Sequence, residues 1–365
     1  MGDRILRKRL KVKLFNFLLF IFSLSLVTSH STAQINSLDH KSIDKVLPQI
    51  LDSAAIPGFS FAIINNSKTE FYKTYGVKSL ESNERVNDHT IFEAASLTKP
   101  LLAYCVLKLV EQGKIDLDMP LYKYLEYEPV AHDERYKAIT ARMVLSHSSG
   151  FPNWRSDRNG DTLNIRFQPG LKFGYSGEGF VYLQKVVEHI LDQDLNTLAS
   201  RYVFDPLKMT RSTLIFNNDE NYAIGHGRDL EPKRKFQPNT PNAAYSLHTT
   251  AGDYAKFLNE LINPHFLGKN MTNQMSNIQK FMKEEDTSLA WGLGVGLNII
   301  SDDTLIWHWG DNGIFKSFFI VSIKSGLGFA YFSNSMNGLS VINSLIKLVY
   351  ANEEIMENWN AYDQY

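Results

Sequence analysis

The chain has one cysteine in 365 residues, Cys105, so no internal disulfide can form, and no Cys/His cluster has zinc-site spacing. Neither sign of charge dominates: 38 Lys+Arg stand against 39 Asp+Glu, a formal net charge of −1. A nucleic-acid binder would show a basic excess, so that class is set aside. Charged residues make up 21% and apolar residues 44%, which excludes a disordered polar chain and leaves a globular enzyme or binding protein with ample core. No apolar run reaches the roughly 20 residues that a helix needs to cross a bilayer. Internal repeats, low-complexity tracts and long linkers are missing too. So are several catalytic signatures: the G-x-S-x-G elbow, H-E-x-x-H, the phosphate-cradling P-loop and the dinucleotide G-x-G-x-x-G.

What is present begins with a separate N-terminal piece. Arg4, Arg7, Lys8, Arg9, Lys11 and Lys13 precede an apolar run over 14–27 and the small residues Ser31-Thr32-Ala33. That order is the layout of a secretory signal with cleavage before Gln34. It predicts an exported protein, periplasmic or secreted, with 1–33 as signal peptide and 34–365 as the working domain. An uncleaved N-terminal anchor, facing outside, is the alternative. No cysteine follows the run, so no bacterial lipid anchor is expected there. The leader holds six basic residues and one acidic; the other 332 positions hold 32 basic against 38 acidic, a net of −6. Near-neutrality is thus the sum of a basic leader and a mildly acidic domain.

Helical spacing is expected over 42–52, 97–111, 179–191, 254–261 and 339–350, with Thr250 opening the fourth as a capping residue. Residues 59–64 and 70–75 read as a hairpin, and 315–323 and 327–333 as buried strands. Gly292, Gly294 and Gly296 alternate in a strand-like setting that suggests close backbone packing. Asp302-Asp303 read as a solvated turn and Cys105 as a small buried hydrophobe. Strands at both ends with helices between predict an α/β (α+β type) fold: one sheet from both chain ends, flanked by helices, with an inserted, mainly helical lobe. The expected sheet lobe covers about 34–113 and 246–365, the helical lobe about 114–245.

Ser-x-x-Lys places a lysine amine one helical turn from a serine hydroxyl, and a desolvated lysine can take the proton that makes serine nucleophilic. Three copies occur: Ser42/Lys45, Ser96/Lys99 and Ser344/Lys347. The first and last lie in amphipathic stretches, where an exposed serine and lysine are the plain expectation. Ser96 lies between an extended segment and the strongest helix, and Pro100 forces that helix to start close by. Its backbone N–H groups would favour developing oxyanion charge; the plainer role is a helix cap. Tyr175, in the Gly-punctuated loop 167–177, can relay a proton near a lysine. His308, within Trp307-His308-Trp309-Gly310, by itself reads first as a packed core histidine.

In order, Ser96-Leu97-Thr98-Lys99, Tyr175-Ser176-Gly177 and His308-Trp309-Gly310 resemble the S-x-x-K, Y-x-N and K/H-x-G motifs of the serine β-lactamase and penicillin-binding-protein superfamily. The branch is that of class C β-lactamases, D-alanyl-D-alanine carboxypeptidases and related esterases. Leu145-Ser146-His147-Ser148-Ser149-Gly150 resembles the family's L-x-H-x-S-G loop, and the segments 245–253 and 332–335 fall where the family has them. The resemblance spans roughly 42–350. It implies a serine hydrolase in which Ser96 forms an acyl-enzyme, Lys99 and Tyr175 act together as general base, and His308 orients the hydroxyls and lends positive character. The oxyanion hole would be the N–H groups of Ser96 and of Asp311, beyond Gly310. No metal or organic cofactor is implied, and the partner is a small-molecule or peptide substrate with an ester or amide carbonyl.

Two departures bear on substrate. Gly177 stands where the family mostly has an asparagine that bonds the substrate amide. Trp309 stands where a small hydroxyl residue usually helps hold a carboxylate. Both favour an esterase or amidase over a D-Ala carboxypeptidase or a β-lactamase. A non-catalytic peptidoglycan or ligand sensor is the reading from another class, and a pure binder needs neither the serine, the lysine nor the tyrosine.

Overall fold

The computed structural model describes residues 40–350, apart from 67, 156–161, 217–218 and 234–235, together with 355. The described residues from Ile43 onward form one compact unit. The expected signal peptide lies outside the described residues.

In chain order the helices of four residues or more with α geometry are α1 (His40–Ser53), α2 (Thr98–Glu111), α3 (Ala141–Leu145), α4 (Gly177–Leu191), α5 (Leu195–Ala199), α6 (Ala251–Ile262), α7 (Lys269–Met275) and α8 (Ile342–Tyr350). The strands are β1 (Gly58–Asn65), β2 (Lys68–Gly76), β3 (Phe92–Ala95), β4 (Leu247–Thr249), β5 (Lys280–Lys283), β6 (Asp286–Trp291), β7 (Gly296–Ile300), β8 (Asp303–Asp311), β9 (Lys316–Ser322) and β10 (Gly328–Ser333).

Eight strands form one sheet in the order β2-β1-β10-β9-β8-β7-β6-β5, and every neighbouring pair is antiparallel. The N-terminal hairpin β1–β2 joins the C-terminal strands through β10, so both chain ends build the sheet, as expected. Its central strands β9 and β10 are buried along their whole length, which explains the apolar runs 318–321 and 329–332 at their centres. The edge strands β2 and β5 carry lysines, which discourage pairing with another chain. Side chains alternate across the sheet. Phe59, Phe318 and Tyr331 stack on one face, which α8 covers through Tyr350. Phe319 and Phe332 meet Tyr254 of α6 on the other.

Helix α2 is buried on nearly all sides, the burial expected of a helix apolar all round. Thr250 caps α6 by accepting the Asp253 N–H at 3.1 Å. Residues 280–300, with no strong alternation in sequence, form β5 to β7. The glycines among them serve close packing: a side chain at Gly294, where φ is +79°, would strike Ala103 of α2. Strands β3 and β4 pair apart from the large sheet, and the connection from α2 to β4 carries α3, α4, α5 and short 3-10 turns.

Candidate active site

Ser96 lies between β3 and α2. Ala95, just before it, has φ +50°, a left-handed conformation that costs a residue with a Cβ about 1–3 kcal/mol and needs surrounding support. The Thr98 hydroxyl donates to the Ala95 carbonyl at 2.6 Å, and the Ser317 hydroxyl to the Ala94 carbonyl at 2.7 Å. Gly310 of β8 packs against this strand end, where any side chain would run into the Ala94 carbonyl and the Ser317 hydroxyl. The helix begins at Thr98, with Leu97 in the N-cap position and no side-chain cap. Ser96 is therefore not held as a cap, and its half-buried side chain faces a cleft.

Lys99 Nζ lies 2.9 Å from Ser96 Oγ and donates to the Ala244 carbonyl at 2.9 Å. The amine is fully buried, 4.8 Å from the centre of the Tyr175 ring and 5.7 Å from that of Phe180. Burial holds its pKa well below the ordinary lysine range, a shift that favours the neutral amine. Burial pushes the Tyr175 phenol the other way, upward. The nearby Ser96 hydroxyl opposes part of that rise without completing a well-aligned hydrogen bond. Of the two expected base components, the lysine is thus the one poised to accept a proton.

Tyr175 follows the loop that ends at the α4 N-terminus, where Ser176 accepts the Gly179 N–H at 2.9 Å. His147 sits behind it, its ring centre 4.2 Å from that of Tyr175, and its Nδ1 accepts the Ser176 N–H at 3.0 Å. It braces the tyrosine loop. His308 is fully buried, and its Nδ1 donates to the Trp309 carbonyl at 2.7 Å. Burial and the nearby Lys99 hold its pKa down to about 3. That shift favours the neutral ring over the positive character expected of it, and its buried Nε2 has no hydrogen-bond partner among the described residues.

The ladder phase aims the backbone of β8. Asn312 N–H bonds the Phe315 carbonyl, and the Thr304 carbonyl accepts the Ile323 N–H, so even-numbered residues bond towards β9. Odd-numbered residues turn the other way, towards β7, whose pairing stops at Trp307. Trp309 and Asp311 hence direct their N–H groups into the cleft beyond the end of β7. The Asp311 carboxylate itself is paired with Lys316.

The cleft encloses about 840 Å³ and is lined by Ser96, Tyr175, Trp309 and Asp311 together with Asn153, Trp154, Arg155, Glu178 and Tyr245. Four of the singled-out residues thus share one wall system, with Lys99 and His308 buried behind it. The other two Ser-x-x-Lys pairs lie exposed on α1 and α8, outside this lining. The segment 153–155, just past the Leu145–Gly150 loop, was not singled out in the sequence; its aromatic and polar side chains beside a glycine-ended loop were the available signal. Among the described residues no group of three or more His, Cys, Asp or Glu side chains could hold a metal ion.

The family model described as Beta-lactamase matches residues 43–349. The chain belongs to the beta-lactamase family. Its members with this fold are serine hydrolases. A curated relative, Protein flp of Staphylococcus aureus (strain N315), is 23% identical over 80% of this chain and 62% of its own length. The chain therefore spans about six-tenths of that relative. Esterase EstB of Burkholderia gladioli is 24% identical over 72% of this chain and 80% of its own length. The octameric penicillin-binding protein homologue from Pyrococcus abyssi shares the fold with a TM-score of 0.74 at 22% identity, over 88% of this chain and 80% of that one.

Proposed function

We propose that this member of the beta-lactamase family is an exported serine hydrolase acting on esters or amides that carry no carboxylate beside the scissile bond. The observation that carries the reading is the buried, desolvated Lys99 amine 2.9 Å from a serine hydroxyl that opens onto a cleft. Ser96 Oγ attacks the substrate carbonyl while its proton passes to Lys99. The N–H groups of Ser96 and Asp311 hold the oxyanion. As the tetrahedral intermediate collapses, the bond to the leaving alcohol or amine breaks, and that group takes the proton from Lys99 through the Tyr175 phenol. Water, deprotonated by the same pair, then cleaves the acyl-serine ester and restores the hydroxyl. His308 stays neutral and orients the hydroxyl network.

Three features support the substrate class. Trp309, its ring tilted against that of Tyr175 with centres 4.9 Å apart, fills the wall with aromatic surface. Arg155 is engaged by Glu178, with Nη2 2.6 Å from Oε2, and Lys316 by Asp311, so neither cation is offered freely to a carboxylate. The relative named Esterase EstB points the same way. We further assign residues 1–33 to the export signal and 34–365 to the hydrolase, with the cleft between a sheet lobe (34–113 and 246–365) and a lobe at 114–245. Among the described residues no helix is long and apolar enough to cross a membrane.

A fluorophosphonate probe should add its mass at Ser96, and Ser96→Ala should abolish the adduct while Ser42→Ala and Ser344→Ala retain it. Folded protein inert to this probe and to penicillin would point to the sensor instead. Short acyl esters should be turned over faster than a chromogenic cephalosporin; the reverse order would restore a β-lactamase or carboxypeptidase reading.

A further inference from the structure

The two N–H groups read as the oxyanion hole stand on strands of different sheets. Ser96 follows β3 of the two-stranded sheet, whereas Asp311 ends β8 of the eight-stranded one, so no shared ladder fixes their separation. Side chains bridge the gap instead. The Ser317 hydroxyl of β9 holds the Ala94 carbonyl at 2.7 Å. On the cleft, Asn312 Nδ2 donates to Glu93 Oε2 at 3.0 Å. Glu93 is a buried carboxyl group, 2% exposed, three residues before Ser96, and Asn312 directly follows Asp311. The turn after β8 also bonds within itself: the Asn312 N–H meets the Phe315 carbonyl, the Ile314 N–H the Asn312 carbonyl, and the Gly313 N–H Asp311 Oδ1. Those bonds shape the turn without placing it against β3. The Asn312 amide does place it, and its Nδ2 also lies 3.5 Å from the carbonyl oxygen of Tyr245, the neighbour of Ala244 that holds Lys99. A carboxylate and a carbonyl both accept, so the NH₂ of that amide must face them.

We propose that Glu93 is a positioning residue for the acyl transfer: through Asn312 it sets the distance between the Ser96 and Asp311 N–H groups and so holds the oxyanion hole at its working width. The inference rests on the acyl-transfer reading of Ser96. The oxygen of the tetrahedral state needs both donors within about 2.7–3.1 Å, and a misplacement of about 1 Å can cost about a hundredfold in rate. The planar carbonyl of the bound substrate depends far less on that spacing, since the aromatic walls of the cleft hold the rest of the molecule. Loosening the tie therefore acts on kcat and leaves KM nearly in place.

Reversing the bond separates this role from a purely structural one. Asn312→Asp sets a second carboxylate against Glu93, whereas Glu93→Gln/Asn312→Asp restores one donor and one acceptor with their roles exchanged. With a short acyl ester, kcat should fall about 10–100-fold in Asn312→Asp while KM stays within about threefold, and the double variant should recover most of the loss. A phenylboronic acid, whose tetrahedral adduct on Ser96 places an oxygen in the hole, should lose and regain affinity in parallel. Melting temperatures show which variants fold. Should Asn312→Asp not fold, Asn312→Ala deletes the bond without adding charge and should lower kcat about tenfold, again with little change in KM. A kcat kept in either folded single variant would overturn the proposal. So would a loss that falls on KM alone, or a folded double variant no faster than Asn312→Asp. Folded wild-type protein that neither turns over the ester nor takes a fluorophosphonate at Ser96 would overturn the acyl-transfer reading instead, which keeps the two failures apart.

Discussion

One wall of the cleft is regular structure: the β3–α2 junction with Ser96 and Lys99, backed by His308 to Asp311 of β8. The facing wall is loop and helix terminus, Asn153 to Arg155 clipped onto Gly177 and Glu178. In the first wall each position answers to bonding geometry: the turn that leads into α2, closed by the Lys99 N–H on the Ser96 carbonyl, sets the Ser96–Lys99 distance, and the β8 ladder phase aims the Asp311 N–H. In the second wall positions answer to one another, since Trp154 dictates Gly177 and Glu178 holds Arg155. The difference separates reaction from recognition. A change in the first wall should abolish chemistry for every substrate, whereas a change in the second should re-rank substrates or loosen the fold.

Lys99→Met makes the largest break. Without the base, kcat/KM for any ester should fall by about 10²–10⁴, the worth of positioned proton transfer. Stability should move the opposite way. Because the folded-state pKa of Lys99 lies below its unfolded value of 10.5, the unfolded chain binds more protons between the two. Native stability therefore rises with pH through that window, and the cost of the buried amine is fully present below the folded pKa. Lys99→Met removes the cost, so melting temperatures should rise at neutral pH, and rise further in mild acid. An inactive variant with no gain in stability would show that the amine is not desolvated. The wild-type rate should climb with pH on its acid limb as Lys99 loses its proton.

The same division governs how much is legible in the sequence. The hairpin, α2, α4, α6 and the strands β9 and β10 show in periodicity and caps because each signal lies within a few residues. Strands β5 to β7 do not: they are short, glycine-interrupted and fixed by packing on α2 and on Trp307. Ser96, Lys99, Tyr175 and His308 are legible as an ordered set of motifs. The lowered pKa of His308 is not, since it follows from complete burial beside Lys99, a neighbour about two hundred residues away in sequence. Asn153 is hidden for a like reason. Its partner Gly177 reads in sequence only as a missing asparagine, and the contact that explains the gap is tertiary.

Gly177→Asn tests the second wall directly. The new side chain must displace the Trp154 ring, and overpacking of this kind costs about 1–3 kcal/mol. Denaturant titration should show that loss in the single variant and recover much of it in Gly177→Asn/Trp154→Ala, where the ring is gone. Independent, additive losses would mean that the two positions do not compete for space.

The smallest expected effect sharpens the first wall most. With its pKa held down to about 3, His308 keeps one charge state across the range in which a lysine-based hydrolase works. The acid limb of kcat/KM then belongs to Lys99 alone. His308→Gln should lower the rate through lost orientation while leaving the limb within about half a pH unit of its wild-type position. A limb displaced by a full unit or more would make His308 a titrating partner of Lys99. The pair would then lose protons in steps belonging to both, and the positive character expected from the motif would return.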